Sequence, residues 1–247
     1  MLDGFTIGAA LLGTGALAGA GVAARGAFHP RSSLFGRVLW QGSAGTQGVA
    51  LTFDDGPTPG ITDAILDALG VAGAKAAFFV IGEHARAHPE LLRRAYEEGH
   101  MLANHSMHHH RLGLCRRDRY WLEEVGAAQA AVEDAIGLRP CLFRPPMGFT
   151  SLHIAQAARA HDCSMITWSR RGFDSLGADP QRVVDRVLDR LGAGEIVVLH
   201  DGIDGAHRRP SRASVAAIPP ILAGLERVGL RAVRLDELLG VDAYASS

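Results

Sequence analysis

The stretch Val49-Ala50-Leu51-Thr52-Phe53-Asp54-Asp55-Gly56-Pro57 begins as an apolar run and ends on two adjacent carboxylates. About fifty residues later comes His105-Ser106-Met107-His108-His109. Two neighbouring acids at a strand end repel each other and are costly to hold without positive charge nearby, for which a divalent cation is the usual answer. One Asp can then bind the cation while the other stays free to move a proton. His105 and His109 are four apart, which sets both imidazoles on one side if the chain turns helically there. Two neutral imidazoles and one carboxylate suit Zn²⁺ and leave positions open for water and substrate. His108 and His110 flank the pair, so spacing alone does not say which histidines are ligands, and a solvated polar loop is the alternative reading.

Outward from this stretch, strand-like apolar segments recur at Ala76 to Ile81, Met101 to Asn104, Cys141 to Phe143, Ser164 to Trp168, Glu195 to Leu199 and Leu230 to Arg234, which with Val49 to Phe53 makes seven. Segments of helical spacing lie between them. Pro89 opens one, with Leu91, Leu92, Ala95 and Tyr96 as its apolar face and Gly99 as its stop. Asp179-Pro180 opens another, with Val183, Val184, Val187, Leu188 and Leu191 facing inward. Asp118 to Ile136 is a third, ended by Gly137. In the last, Pro219-Pro220 belongs in the first turn, because proline deeper inside removes a hydrogen bond and clashes. Such alternation implies parallel βα units with right-handed crossovers, whose chemistry gathers at the C-terminal ends of the strands. The polar residues fall there: Asp54 and Asp55 after the first strand, His105 and His109 after the third, Arg144 after the fourth, Asp174 after the fifth and His200 after the sixth.

The 247 residues are 47% hydrophobic and 21% charged, enough for one good core. A formal net charge of -1 gives no electrostatic reason to expect a nucleic-acid partner. Cys115, Cys141 and Cys163 lack C-x-x-C spacing and read as buried free thiols. Three regions are expected: a hydrophobic N-terminal segment at 1–25, a linker at 26–47 and the folded domain at 48–240. Residues 5–24 carry no charge over 20 positions, long enough to cross a bilayer at about 1.5 Å per residue. Membrane association through 5–24 is the favoured reading, and a cleaved signal peptide is its rival although Met1-Leu2-Asp3 offers no positive n-region. Arg25, Arg31 and Arg37 follow the segment, which favours the cytoplasmic face over a periplasmic or extracellular site.

Five stretches, in order, carry a resemblance: Thr52-Phe53-Asp54-Asp55-Gly56-Pro57, His105-Ser106-x-x-His109, Phe143-Arg144-Pro145-Pro146-Met147-Gly148, Trp168-Ser169-x-x-x-x-Asp174 and Val198-Leu199-His200. The chain from about Val49 to Leu238 resembles the polysaccharide deacetylase (NodB-homology) family of carbohydrate esterases. The resemblance implies an α/β fold, a distorted (β/α)7 barrel that is TIM-like with one βα unit missing, in agreement with the seven strands. It also implies Asp55, His105 and His109 as metal ligands, with Zn²⁺ first and Co²⁺ or Mn²⁺ as substitutes. Asp54 would be the general base, Arg144 its orienting partner and His200 the general acid. The backbone N–H of Met147 would stabilise the oxyanion, and Trp168 and Leu199 would form the pocket for the acyl methyl.

Two positions depart from the family pattern. Met147 stands where an aromatic is common, and Arg171 stands where an Asp commonly tunes the acid histidine. Asp174 or Asp201 is then expected to take that part, while Arg170-Arg171 points at an anion on the substrate or at solvent. The expected function is metal-dependent removal of an N-acyl group, acetyl first, from an amino sugar of a glycan or lipid-linked saccharide. The alternatives are a non-catalytic carbohydrate-binding protein on the same fold, a deformylase or other amide hydrolase of a glycolipid, and a metal phosphoesterase.

Overall fold

Strand β2, Gly48–Asp54, is buried at every position, as expected of a strand in a parallel sheet covered on both faces. The computed structural model describes residues 21–43, 45, 47–174, 178–202 and 212–245. Around β2 lie β1 (Val38–Leu39), β3 (Ala77–Val80), β4 (Met101–Asn104), β5 (Leu142–Phe143), β6 (Ser164–Ile166), β7 (Arg170–Arg171), β8 (Ile196–His200) and β9 (Arg231–Ala232). The order is β1-β6-β5-β4-β3-β2-β8-β7, with β9 also on β2 and every pairing between named strands parallel. Only Thr167 to Ser169 separate β6 from β7, so one stretch pairs with β5 at its start and with β8 at its end. That double pairing closes the circuit into a distorted (β/α)7 barrel. The seven expected strands correspond to β2, β3, β4, β5, β6, β8 and β9; β1 and β7 are additional and only two residues long.

The helices are α1 (Thr62–Val71), α2 (Gly82–Ala87), α3 (Pro89–Glu97), α4 (Asp118–Ile136), α5 (Leu152–Ala160), α6 (Pro180–Leu188), α7 (Ala213–Arg227) and α8 (Leu235–Leu239). Pro89 starts α3 as expected, and Asp179 caps α6 by accepting the Gln181 N–H at 2.9 Å. Gly137 ends α4 in the left-handed conformation, φ 73°. Two helix expectations are corrected. Tyr96 is 37% exposed rather than buried in the core, its ring packing edge-on to Tyr244 at 6.1 Å. In α7 the pair Pro219-Pro220 lies inside the helix, not in its first turn. Both prolines face solvent, where the carbonyls they leave unbonded can be hydrated, while Ala217, Ile218 and Ile221 hold the opposite face in the core.

Side chains alternate across each strand with a period of two. Leu51, Phe53, Val197 and Leu199 point outward to a shell that includes Ile65, Leu66, Val183 and Ile218. Ala50, Phe79, Trp168 and Val198 fill the barrel interior. Burying one side chain such as Phe53 contributes about 1.5–3 kcal/mol.

The segment read as a linker is largely structured. Val38 and Leu39 pair with Met165 and Ile166 on β6, since two apolar residues there cover an otherwise open edge. Upstream of them, the Thr150 N–H and hydroxyl donate to the carbonyls of Ala27 and Gly26 at 3.0 and 3.1 Å. Thr167 donates to the Pro30 carbonyl, and Arg31 to the Ser169 carbonyl at 2.7 Å. Residues 26–41 are thus a strap across the barrel. Most of the apolar run at 5–24 lies outside the described residues; among those described, no helix is long and apolar enough to cross a membrane. The three cysteines are free as expected, but only Cys163 is buried, and burial pushes its thiol up to about 12.

Candidate active site

Asp54 is the last residue of β2 and, like Thr52, points into the barrel by strand alternation. Its Oδ1 accepts from Arg144 Nη1 at 2.5 Å, and the same nitrogen donates to Thr52 Oγ1 at 2.9 Å. Arg144 Nη2 donates to the Thr167 carbonyl at 3.1 Å, and the guanidinium lies 3.9 Å from the centre of the Phe79 ring. Arg144 is wholly buried. Burial opposes its charge, so the Asp54 carboxylate and the Phe79 face are what keep a guanidinium there.

Asp55 leaves the strand with φ 75°, a left-handed turn that swings its carboxylate away from that of Asp54. Its carbonyl is bonded to His84 Nδ1 at 2.8 Å. Behind the turn Gly202 is obligatory: a Cβ there would come within 2.0 Å of the Asp55 carbonyl oxygen. Asp55 Oδ1 is buried without a hydrogen-bond partner, 3.3 Å from His105 Nε2 and 3.5 Å from His109 Nε2. The ligand atoms of Asp55, His105 and His109 all lie within 4.8 Å of one another.

His105 Nδ1 lies 2.7 Å from the Arg144 carbonyl. It must donate there, which leaves the Nε2 lone pair turned toward Asp55. Burial alone would raise the Asp55 pKa, but the proximity of His105, with smaller contributions from His109 and His200, holds it well below the usual carboxylate range. A permanently ionised oxygen and two imidazole nitrogens converging on one point fit a divalent cation.

The histidines are not brought together by a helix, as the spacing suggested. Ser106 and His109 both have positive φ, 68° and 49°, and residues 105–110 form a turn ahead of a short 3-10 helix at Arg111–Cys115. Glu124 of α4 clamps this turn, accepting the N–H groups of Met107 and His108 at 3.1 and 3.0 Å and pairing with His108 Nδ1 at 2.6 Å. His110 Nδ1 is bonded to the Tyr120 hydroxyl at 2.9 Å. Both flanking imidazoles are engaged elsewhere, which leaves His105 and His109 as the pair. Glu124 was not singled out from sequence, because two of its three partners are backbone N–H groups, which leave no spacing pattern.

His200 ends β8 and stands in register with Asp54 on β2. Asp174 accepts the His200 N–H at 2.7 Å and meets His200 Nδ1 at 2.9 Å, both from a wholly buried carboxylate. Burial pulls the imidazole pKa down, yet Asp174, with smaller contributions from Asp55 and Asp54, carries it up to about 9. Asp201 is engaged elsewhere: it accepts from Gly56 N at 3.1 Å and from the Thr62 hydroxyl at 2.7 Å, and burial pushes it up to about 7. Of the two carboxylates offered by the sequence, Asp174 is the partner of His200.

Met147 sits in the turn Pro146–Gly148 with φ 59° and a half-exposed side chain. Trp168 closes the turn from behind, since a Cβ on Gly148 would fall 2.4 Å from its ring. Leu199 is turned away from the site: it packs outward against Val183, while Val198, two residues before His200, shares the interior cluster with Trp168. The two-residue strand period makes Val198 the wall residue, and that period was available in the sequence. Arg170 is likewise occupied, in a two-pronged ion pair with Glu195 at 2.7 and 3.0 Å and in bonds to three carbonyls of residues 186, 189 and 190. Arg171 instead lies over the rings of Trp168 and Phe173, at 5.2 and 4.8 Å.

Residues 41–166 match the family model described as polysaccharide deacetylase. The chain is 32% identical over 206 residues to a peptidoglycan-N-acetylglucosamine deacetylase of Bacillus cereus, covering 83% of this chain and 93% of that protein. It is 33% identical over 201 residues to a chitooligosaccharide deacetylase of Bradyrhizobium sp., covering 79% and 92%. The crystal structure of a peptidoglycan N-acetylglucosamine deacetylase in complex with 4-naphthalen-1-yl-N-oxidanyl-benzamide superposes with a TM-score of 0.78 at 27% identity, covering 84% of this chain and 95% of that one. The family match stops short of Trp168, Asp174 and His200, so the acid side of the site rests on geometry and on the longer alignments.

Proposed function

The chain belongs to the polysaccharide deacetylase family, and on that premise we propose a role for each group of its site in hydrolysing the N-acetyl amide of an amino sugar. The relatives named above act on peptidoglycan N-acetylglucosamine and on chitooligosaccharides, which supports an N-acetylglucosamine-containing glycan as the substrate class. Asp55, His105 and His109 would hold a divalent cation, which when bound would lower the pKa of a water and polarise the amide carbonyl. The ligand set favours Zn²⁺, with Co²⁺ or Mn²⁺ as substitutes.

Asp54 accepts the proton of the attacking water. Arg144 aims Asp54 through the bond from Nη1 to Oδ1, and its bonds to Thr52 and Thr167 fix the guanidinium in turn. The Met147 N–H donates to the oxygen that gains charge as the carbonyl becomes tetrahedral. His200, charged at neutral pH through Asp174, gives a proton to the departing nitrogen. Trp168 and Val198 wall the space for the acyl methyl.

The observation that carries this reading is the pairing of each proton-transfer group with its own buried counter-ion, Asp54 with Arg144 and His200 with Asp174, on adjacent strand ends beside the Asp55 triad. A protein that only bound sugar would need neither. The test is release of acetate and free amine from N-acetylglucosamine oligomers by protein stripped with chelator and reloaded with Zn²⁺. Release is expected from the reloaded wild type and not from Asp54→Asn; no release by the reloaded wild type would sink the proposal. Membrane attachment through residues 5–24 is proposed from the uncharged run alone. Recovery of the protein in an alkaline-carbonate wash of membranes would refute it.

A further inference from the structure

Of the two arginines that open the acid side, one is used up by the fold and the other is not. Arg170 is saturated by Glu195 and three carbonyls. Arg171 pairs in register with Val198, whose side chain faces the barrel interior, and so it is turned to the catalytic side. Its guanidinium lies 5.2 Å from the Trp168 ring and 4.8 Å from the Phe173 ring, and that of Arg186 lies 5.5 Å from the same Phe173. Among the described residues Arg186 makes one long bond, to the Gly172 carbonyl at 3.4 Å. Among the described residues no carboxylate lies within ion-pair distance of either guanidinium.

This stack is anchored to the reaction centre at both ends. Trp168 backs the turn that carries Met147, and Phe173 immediately precedes Asp174, the partner of His200. Phe173 has φ 56° and is 44% exposed. A non-glycine residue held left-handed is strained, and here that conformation presents an aromatic face to solvent beside the acid. Burial opposes the Arg171 charge, and the carboxylates of Asp54 and Asp174 offset part of that cost. A planar cation set over two rings, with no carboxylate at ion-pair distance among the described residues, is preorganised for a carboxylate or phosphate.

We propose that Arg171, supported by Phe173 and Arg186, forms a subsite for an anionic substituent, carboxylate or phosphate, on the saccharide whose acetamido group is hydrolysed. This rests on the deacetylase reading and adds to it a substrate class: acidic glycans or phosphorylated amino sugars over neutral ones. Phe173 supplies the apolar sugar-stacking surface that Met147 does not.

The test is equilibrium binding, which needs no turnover. Metal-loaded Asp54→Asn protein, with and without Arg171→Met, is titrated with a neutral N-acetylglucosamine oligomer, with an oligomer of the same length bearing carboxylates on alternate sugars, and with N-acetylglucosamine 1-phosphate. Arg171→Met is expected to weaken one or both anionic probes about tenfold or more and the neutral oligomer by less than about twofold. Arg171→Lys should restore part of the loss, and added salt should erode the anionic preference. The probe that loses more identifies the source of the anion. Equal losses for all three probes, or no loss for any, would overturn the subsite. Failure of the wild type to release acetate would count against the hydrolytic reading alone, because the binding contrast is measured without it.

Discussion

Asp54 and Asp55 are chemically identical, and their separation into base and ligand depends on one backbone angle, the positive φ at Asp55. Asp54 stays in the strand and meets Arg144; Asp55 turns out and meets the histidines. Adjacency at a strand end was enough to expect a metal, but the division of labour came from family resemblance, because a local turn angle is not written in residue type. Arg144→Ala should lower acetate release by about 10²–10³-fold, as loss of a fixed electrostatic partner does, and should destabilise the fold by about 3–5 kcal/mol by leaving Asp54 buried and unpaired. Steady-state kinetics and urea unfolding measure the two. Asp174 poses the opposite case: Arg171 drew attention as the departure from the family pattern, while the bond to His200 is made three residues later. Because the folded pKa of His200 is raised, the stabilisation from this pair is complete below the ordinary histidine value and is lost as pH rises through about 9. Deacetylation should decline over the same rise, and Asp174→Asn should move that alkaline limb to lower pH; an unmoved limb in the pH profile would remove Asp174 from the acid side.

At the scale of elements, the site is assembled from the ends of β2, β4, β5 and β8 and from the two-residue β7, which explains which parts were readable. Long apolar runs announced most of the strands. β7, a pair of arginines, carries no apolar pattern for a window to find, since its existence depends on partners far away in sequence. Spacing alone would bring His105 and His109 together only if the chain turned helically there; the turn is instead built on two left-handed residues, closed by Glu124 from another element. The triad joins β2 to β4, so a cation there should stabilise the native state by about 4 kcal/mol at a thousandfold excess over Kd. Chelation should therefore lower Tm together with activity, and His109→Ala should abolish the metal-dependent part of Tm in a thermal melt. The prolines of α7 mark where a sound local rule lost to tertiary burial of the opposite face. Pro220→Ala should raise Tm, because it restores a helix hydrogen bond on an exposed face.

For the molecule as a whole, the alternation of strands and helices was legible and the closure of the ring was not. Closure depends on Thr167 to Ser169 carrying the chain from β5's side of the gap to β8's, and on residues 26–41 lying across the same region. Those residues have a turn-rich composition and read as a linker; their role is visible only through what they touch. Their contact points are Thr150, three residues after Met147, and Thr167, whose carbonyl holds Arg144. A recombinant fragment cut at Gly48 keeps every catalytic side chain, yet strips the cover from β6. The bare edge of β6 would then be open to a strand from another molecule, so the shortened fragment should self-associate, as seen by light scattering, where one starting at Gly26 stays monodisperse.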